Sequence, residues 1–190
     1  MKAAVELTQD SDISLIATCL SGNRNAFAPL VERYQARIYN LCYRYTHNPE
    51  DAGDLTQETF MRAFRSLDRY DEAYAFRTWL YSIGTNVCRD WARRQKRLPE
   101  TAALHDEHDA IDLGEHVDPA DIAINTSDQE ALARAVAALP EAYKALIILF
   151  YIEELSQDEM GKILQLPLTT IKNRLYRARL LLRQWLEEER

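Results

Sequence analysis

Apolar residues along most of this chain return every three or four positions, the spacing of one face of a helix. Phe27, Leu30, Val31, Tyr34, Ile38, Leu41 and Tyr45 form such a stripe over about five turns, with Asn25 in place to cap it. Before it, Ile13, Ile16 and Leu20 predict a shorter helix from Asp12, stopped at Gly22, while residues 1–11 carry no strong pattern and read as a mobile end. Asn48-Pro49 opens the next helix, with Glu50 and Asp51 well placed for its dipole. Its core side is marked by Thr56, Phe60, Ala63, Phe64 and Leu67, and Asp51, Asp54, Leu55, Glu58 and Arg62 fall nearly opposite. A polar-aromatic loop from Arg69 to Ala75 leads to a helix over about Phe76–Lys96. There Phe76, Leu80, Ile83 and Val87 face inward, and Trp79, Ser82, Asn86, Arg89 and Arg93 run along the flank. No strand of any length is predicted in this half.

The same period governs the C-terminal part. Ser127 and Glu130 make a capping box for a helix carrying Leu132, Val136 and Leu139. Pro140 suits a first helical position, followed by Leu146, Ile147, Phe150 and Tyr151 on one face. Ser156 and Glu159 form another capping box, and Leu166-Pro167 ends the helix they open, because a residue before proline resists the helical region. A last helix runs from about Leu168 to Glu187, with Ile171, Leu175, Ala178, Leu182 and Trp185 on its core stripe. Two short helices, a tight turn and a long basic helix are the layout that places a helix end in the DNA major groove. The expected fold is all-α: two helical domains joined by an acidic flexible linker, the second ending in a helix-turn-helix.

Charge sharpens this picture. The 190 residues carry a net −7, which is unpromising for a DNA binder until it is located. Nine acids and no lysine or arginine lie between Leu98 and Asp128; without them the balance turns to +2. That stretch also holds Pro99, Gly114 and Pro119 and has little periodicity, so it reads as a tether. The boundaries are then 1–97, 98–126 and 127–190. From Leu168 to Trp185 there are five basic residues and no acid. A solvated face usually mixes signs, so a one-signed face beside a tight turn favours phosphate contact. The chain has no apolar run of the ~20 residues needed to cross a bilayer and no signal-peptide pattern, so a cytoplasmic protein without membrane insertion is expected. Cys19, Cys42 and Cys88 are scattered, which reads as reduced thiols filling core gaps rather than disulfides or a zinc site. His105, His108 and His116 lie among carboxylates in the tether, but no helix fixes a geometry there, and no metal or cofactor is assigned.

Two further features remain open on the residues alone. Leu55 sits among three carboxylates; the face is either merely solvated or a small docking patch. Trp79 and Trp91 are either core aromatics or, interleaved with amides and arginines, a stacking surface for single-stranded DNA.

Three motifs in order bear on both. Asp54-Leu55-Thr56-Gln57-Glu58-Thr59-Phe60 resembles the D-L-x-Q-E-x-F helix of the extracytoplasmic-function class of bacterial RNA polymerase sigma factors. Phe76-Arg77-Thr78-Trp79-Leu80-Tyr81-Ser82-Ile83 with Asn86 is similar to that family's F-x-T-W-L-Y-x-I-x-x-N stretch. Leu139-Pro140-Glu141, Leu155–Met160 and Thr170–Arg179 complete the set, so the resemblance covers about Asp12 to Leu186.

The resemblance implies a non-enzymatic initiation factor that binds core RNA polymerase through its β′ and β subunits and directs promoter recognition and DNA melting. Asp51, Asp54, Leu55, Gln57 and Glu58 would grip the β′ coiled coil. Tyr70, Asp71, Tyr74, Phe76, Trp79, Asn86, Arg89 and Arg93 would hold the separated −10 strand, base extrusion being offset by stacking and hydrogen bonds. Thr169, Thr170, Lys172, Asn173, Arg174, Tyr176 and Arg177 would read the −35 element. The acidic tether would thread the polymerase's active-site and RNA-exit channels. Such proteins are commonly held inactive by an anti-sigma factor, often membrane-anchored. Two departures bear on promoter choice: Thr169-Thr170 stands where the family usually has Gly-Thr, and Asn173 where it often has Ser. An Asn can make two hydrogen bonds to an adenine edge, so the preferred −35 sequence differs. Two rival readings are a DNA-binding regulator with an N-terminal sensor domain and a metal-dependent hydrolase using His105 and His108.

Overall fold

A computed structural model describes residues 2–96 and 129–188, and every regular element among them is helical. The chain divides into two compact units, residues 1–90 and 91–190. The all-α, two-unit expectation therefore holds. Among the described residues no helix is long and apolar enough to cross a membrane. The acidic tether, with His105, His108 and His116, and Ser127 of the expected cap lie outside the described residues.

In the first unit, helix α1 spans Lys2–Leu20 and starts far earlier than the apolar period indicates. The reason is propensity: Ala, Glu and Leu near its start favour a helix without an amphipathic stripe. Gly22 ends this region at φ 115°, a conformation open to glycine. Asn25 does not cap the next helix; a 3-10 turn over Arg24–Phe27 intervenes, and α2 runs Ala28–Thr46 with Pro29 in its first turn. Helix α3 spans Pro49–Arg65, and Asn48 Oδ1 accepts from the backbone N–H groups of Glu50 and Asp51 at 2.8 and 3.2 Å. A 3-10 turn over Leu67–Arg69 and the loop to Ala75 precede α4, Phe76–Lys96. Leu30, Ile38 and Leu41 of α2 and Phe76, Leu80 and Val87 of α4 are all fully buried, and the Tyr34 ring of α2 lies 5.6 Å from that of Phe76. The approach of α4 is close: a Cβ on Gly84 would lie 3.1 Å from Leu41 Cδ2. All three cysteines are buried and none is in a disulfide, and the Cys88 thiol donates to Cys42 Sγ at 3.7 Å.

In the second unit, α5 (Gln129–Ala138) leads to α6 (Glu141–Ile147), which Pro140 precedes as an extended N-cap rather than a first helical residue. Helix α6 passes into a π-helical turn over Ile148–Ile152. The Ser156–Glu159 capping box forms in full and starts α7, Gln157–Leu164. Gln165 takes the left-handed conformation at φ 55°, and α8 then runs Leu168–Glu188. Gly161 lets this turn close tightly, because a Cβ there would lie 3.1 Å from the Leu166 carbonyl oxygen. Helix α8 packs on α5, α6 and α7 through Ile171, Leu175, Ala178 and Leu182, all fully buried.

Candidate functional site

The acidic face of α3 differs from its sequence expectation in one residue that matters. Asp54 and Gln57 are exposed and Asp51 is half-buried, but Leu55 is only 6% exposed. It shares a buried stripe with Ala52, Thr59 and Ala63, and the Thr59 hydroxyl donates to its carbonyl oxygen at 2.7 Å. Leu55 is therefore a core residue, and its expected place in a docking patch is corrected. The cause is that α3 is buried over more of its circumference than one apolar stripe: Ala52, Leu55 and Thr59 lie on one arc, Phe60 to its side. Glu58 keeps its side chain 38% exposed and accepts from Arg62 Nε at 2.7 Å; Arg62 also donates to Asp90 Oδ2 at 3.2 Å. That pairing raises the Arg62 pKa, chiefly through the Glu58 hydrogen bond.

The apolar part of this surface lies elsewhere. A groove of about 540 Å³ between α2 and α3 is lined by Phe27, Val31, Gln57, Phe60, Met61 and Phe64 among others. Met61 is exposed and follows Gln57 by one helical turn, so the groove adjoins the polar residues of the face. Sequence reading passed over it because Phe60 and Phe64 carry the marks of ordinary core residues; an exposed Met one turn beyond Gln57 was the available signal.

The loop before α4 builds an aromatic platform. The Tyr70 ring lies 5.7 Å from Phe76 and 5.4 Å from Trp79, and Phe76 lies 5.7 Å from Trp79. The Tyr70 hydroxyl donates to the Tyr74 carbonyl oxygen at 2.6 Å, and the Asp71 carboxylate accepts from the Ala73 N–H at 2.9 Å, which pins the loop. Burial, then the nearby carboxylates of Asp12, Glu72 and Asp71, push the Tyr70 pKa up to about 12, so it remains a hydroxyl donor. Tyr70 and Trp79 are half-buried and Tyr74 is exposed, which leaves ring surface open to solvent. Phe76 is fully buried. Its expected base contact is corrected: it supports the platform from below, as its inward periodicity also required. Asn86 is exposed and accepts from Arg89 at 3.2 Å, and exposed Arg93 continues the same flank.

On α8, Thr169 and Lys172 are exposed, and Thr170, Asn173, Tyr176 and Arg177 are partly exposed. Arg174 is 3% exposed and is corrected from base reader to buried residue. It sits about 60° from Ile171 around the helix, at the edge of the core stripe, where α8 is flanked by other helices. Arg179, at the opposite edge, is 1% exposed. Its guanidinium lies 5.3 and 5.4 Å from the ring centroids of Phe150 and Tyr151, and its Nε donates to the Tyr151 hydroxyl at 2.6 Å. The π-helical turn brings those two adjacent rings onto one cation. Two of the five cations thus belong to the packing of α8, and Arg183 is paired with Glu187 at 2.8 Å. The face left to contact DNA is narrower than the charge count implies.

Comparison with known proteins bears on these surfaces. Residues 30–98 match the family model for sigma-70 region 2, and residues 129–182 the model for sigma-70 region 4. The chain is 36% identical over 174 residues to the ECF RNA polymerase sigma factor SigW of Bacillus subtilis (strain 168), covering 88% of this chain and 92% of that one. Among solved structures, CnrH in complex with the cytosolic domain of CnrY is similar with a TM-score of 0.68 and 25% identity, over 95% of this chain and 99% of that one. The sigma factor RpoE of Bartonella quintana, solved with the anti-sigma factor NepR, shares the fold with a TM-score of 0.62 at 22% identity, over 86% of this chain and 98% of that one.

Proposed function

The chain belongs to the ECF RNA polymerase sigma factors, and from that premise we propose how its surfaces divide the work of initiation. Residues 1–97 dock on core RNA polymerase and hold the separated −10 strand. Residues 127–190 read the −35 element as duplex, and residues 98–126 join the two. Docking on β′ uses Asp51, Asp54, Gln57 and Glu58, with the apolar groove beside Met61, rather than the buried Leu55, as its apolar part. The −10 strand meets Tyr70, Tyr74 and Trp79 by stacking, Asp71 and Asn86 by hydrogen bonds, and Arg89 and Arg93 along its phosphates. The −35 element meets Thr169, Thr170, Lys172, Asn173, Tyr176 and Arg177. The protein performs no catalysis of its own; the polymerase does.

The observation that carries this reading is a set of partly open aromatic rings in the first unit, Tyr70, Tyr74 and Trp79, with Asn86 and Arg89 further along the helix of Trp79 and apart from the helix-turn-helix. A regulator of duplex DNA has no use for a stacking platform. Run-off transcription with purified core enzyme is the test. A core-dependent start at a defined promoter is expected; binding to duplex DNA with no such start would favour the regulator instead. Control by an anti-sigma factor follows from exposed apolar surfaces on both units, Met61 beside its groove and Leu180 and Leu181 on α8, which a partner can cover. The fold is that of relatives solved with CnrY and NepR. Mixing such an inhibitor with this protein should abolish core binding.

A further inference from the structure

One buried carboxylate in the first unit has no part in the surfaces above. Asp12, in the middle of α1, is 2% exposed. Burying an ionised carboxylate costs several kcal/mol unless it is paired and hydrogen-bonded, and an apolar side chain of similar volume would serve stability at least as well. Asp12 accepts from the Arg33 guanidinium and, at 2.5 Å, from the Tyr34 hydroxyl, both on α2. The Tyr34 pKa is raised by burial and then by that hydrogen bond, so the phenol stays the donor.

The Tyr34 ring in turn lies 5.6 Å from Phe76, and Phe76 is the buried ring on which Tyr70 and Trp79 lean. Helix α1 also contacts the 3-10 turn over Leu67–Arg69, one residue before Tyr70. A continuous path of contacts therefore runs from the carboxylate through the phenol and the buried ring to the open aromatic surface. A close-packed interior passes small displacements along such a path.

We propose that Asp12 is a positioning residue for the −10 strand site: by fixing Tyr34 it sets the depth of Phe76 and hence the spacing of Tyr70 and Trp79. This deepens the reading of Tyr70 and Trp79 as a strand-stacking platform and rests on it. Asp12 touches no DNA.

The experiment uses the full chain bound to core RNA polymerase. The probe is a labelled single-stranded oligonucleotide carrying the non-template −10 element of a promoter from which the wild-type holoenzyme initiates. Asp12→Asn weakens the clamp and Tyr34→Phe removes its hydroxyl while keeping the ring. Each should lower affinity for the oligonucleotide about tenfold, a shift of ~1.4 kcal/mol. The double variant should be no weaker than Asp12→Asn alone, since the Tyr34 hydroxyl acts on the platform only through Asp12. Core affinity and binding to a −35 duplex should stay within about twofold of wild type, and circular dichroism should be unchanged. Trp79→Ala is the control. If it leaves oligonucleotide affinity at the wild-type value, the platform reading itself fails and the inference with it. If Trp79→Ala weakens binding but Asp12→Asn and Tyr34→Phe do not, the positioning role alone is overturned. A parallel loss of core affinity and helix content in both variants would make Asp12 an ordinary scaffold residue and overturn it as well.

Discussion

Helices α3 and α8 both carry a polar face beside an apolar stripe, yet the residues that depart from this pattern are of opposite kinds. On α3 the departure is an aliphatic residue: Leu55, counted on the solvent side, lies in the core. On α8 it is two cations: Arg174 and Arg179, counted with the basic face, are buried at the two edges of the core stripe. Burying Leu55 is favourable by itself, whereas burying Arg179 requires the Tyr151 hydroxyl and two ring faces to replace its hydration. The comparison shows that a residue's angular position gives its distance from one partner, while a helix with several neighbours is covered at its flanks too. Residue type then decides whether that cover needs special chemistry.

The strongest way to break this contrast is at Asp54, an exposed residue of α3. Asp54→Arg should reduce co-elution with core polymerase about a hundredfold or more, since a reversed charge at an interface costs several kcal/mol. Unchanged co-elution would remove α3 from the docking surface. Next comes Leu55→Ala, expected to destabilise the first unit by ~2–5 kcal/mol in chemical denaturation, with core affinity preserved in the folded fraction. Loss of affinity at unchanged stability would return Leu55 to the interface.

On α8 the contrast separates neighbouring arginines. Arg177→Ala should weaken −35 binding by ~1–3 kcal/mol if it reads a base, and less if it meets only phosphate; footprints on altered −35 sequences distinguish the two. Arg179→Met should instead lower stability by ~1–2 kcal/mol from the lost ring and hydroxyl contacts, leaving −35 selectivity intact. The smallest effect belongs to Arg183→Ala, whose solvent-exposed pairing with Glu187 should leave the thermal midpoint unchanged.

Much of this was legible beforehand because its causes are local. Asn48 and the Ser156–Glu159 pair act within one turn, so sequence spacing alone locates the starts of α3 and α7. Ile171, Leu175, Ala178 and Leu182 form a single face of a single helix and are buried as the periodicity predicts, whereas Trp185, the last residue of that stripe, is only half-buried. The start of α1 escaped because its helix rests on propensity rather than amphipathicity, and the groove beside Met61 escaped because it needs two helices to exist. The platform is half legible: the family motif points to Tyr70, Phe76 and Trp79 together, but only the inward spacing of Phe76 tells that its ring lies beneath the other two.

What the amino-acid sequence determined unaided was the helical class, the divided charge and the family, since each depends on spacing along one strand of chain. Tertiary structure decided which side chains of those helices face solvent, and brought Asp12 to Tyr34 and Arg179 to Phe150 and Tyr151. The physical reason is that exposure and pairing are properties of neighbours distant in sequence, and a helical repeat specifies direction around an axis without specifying how many partners surround it.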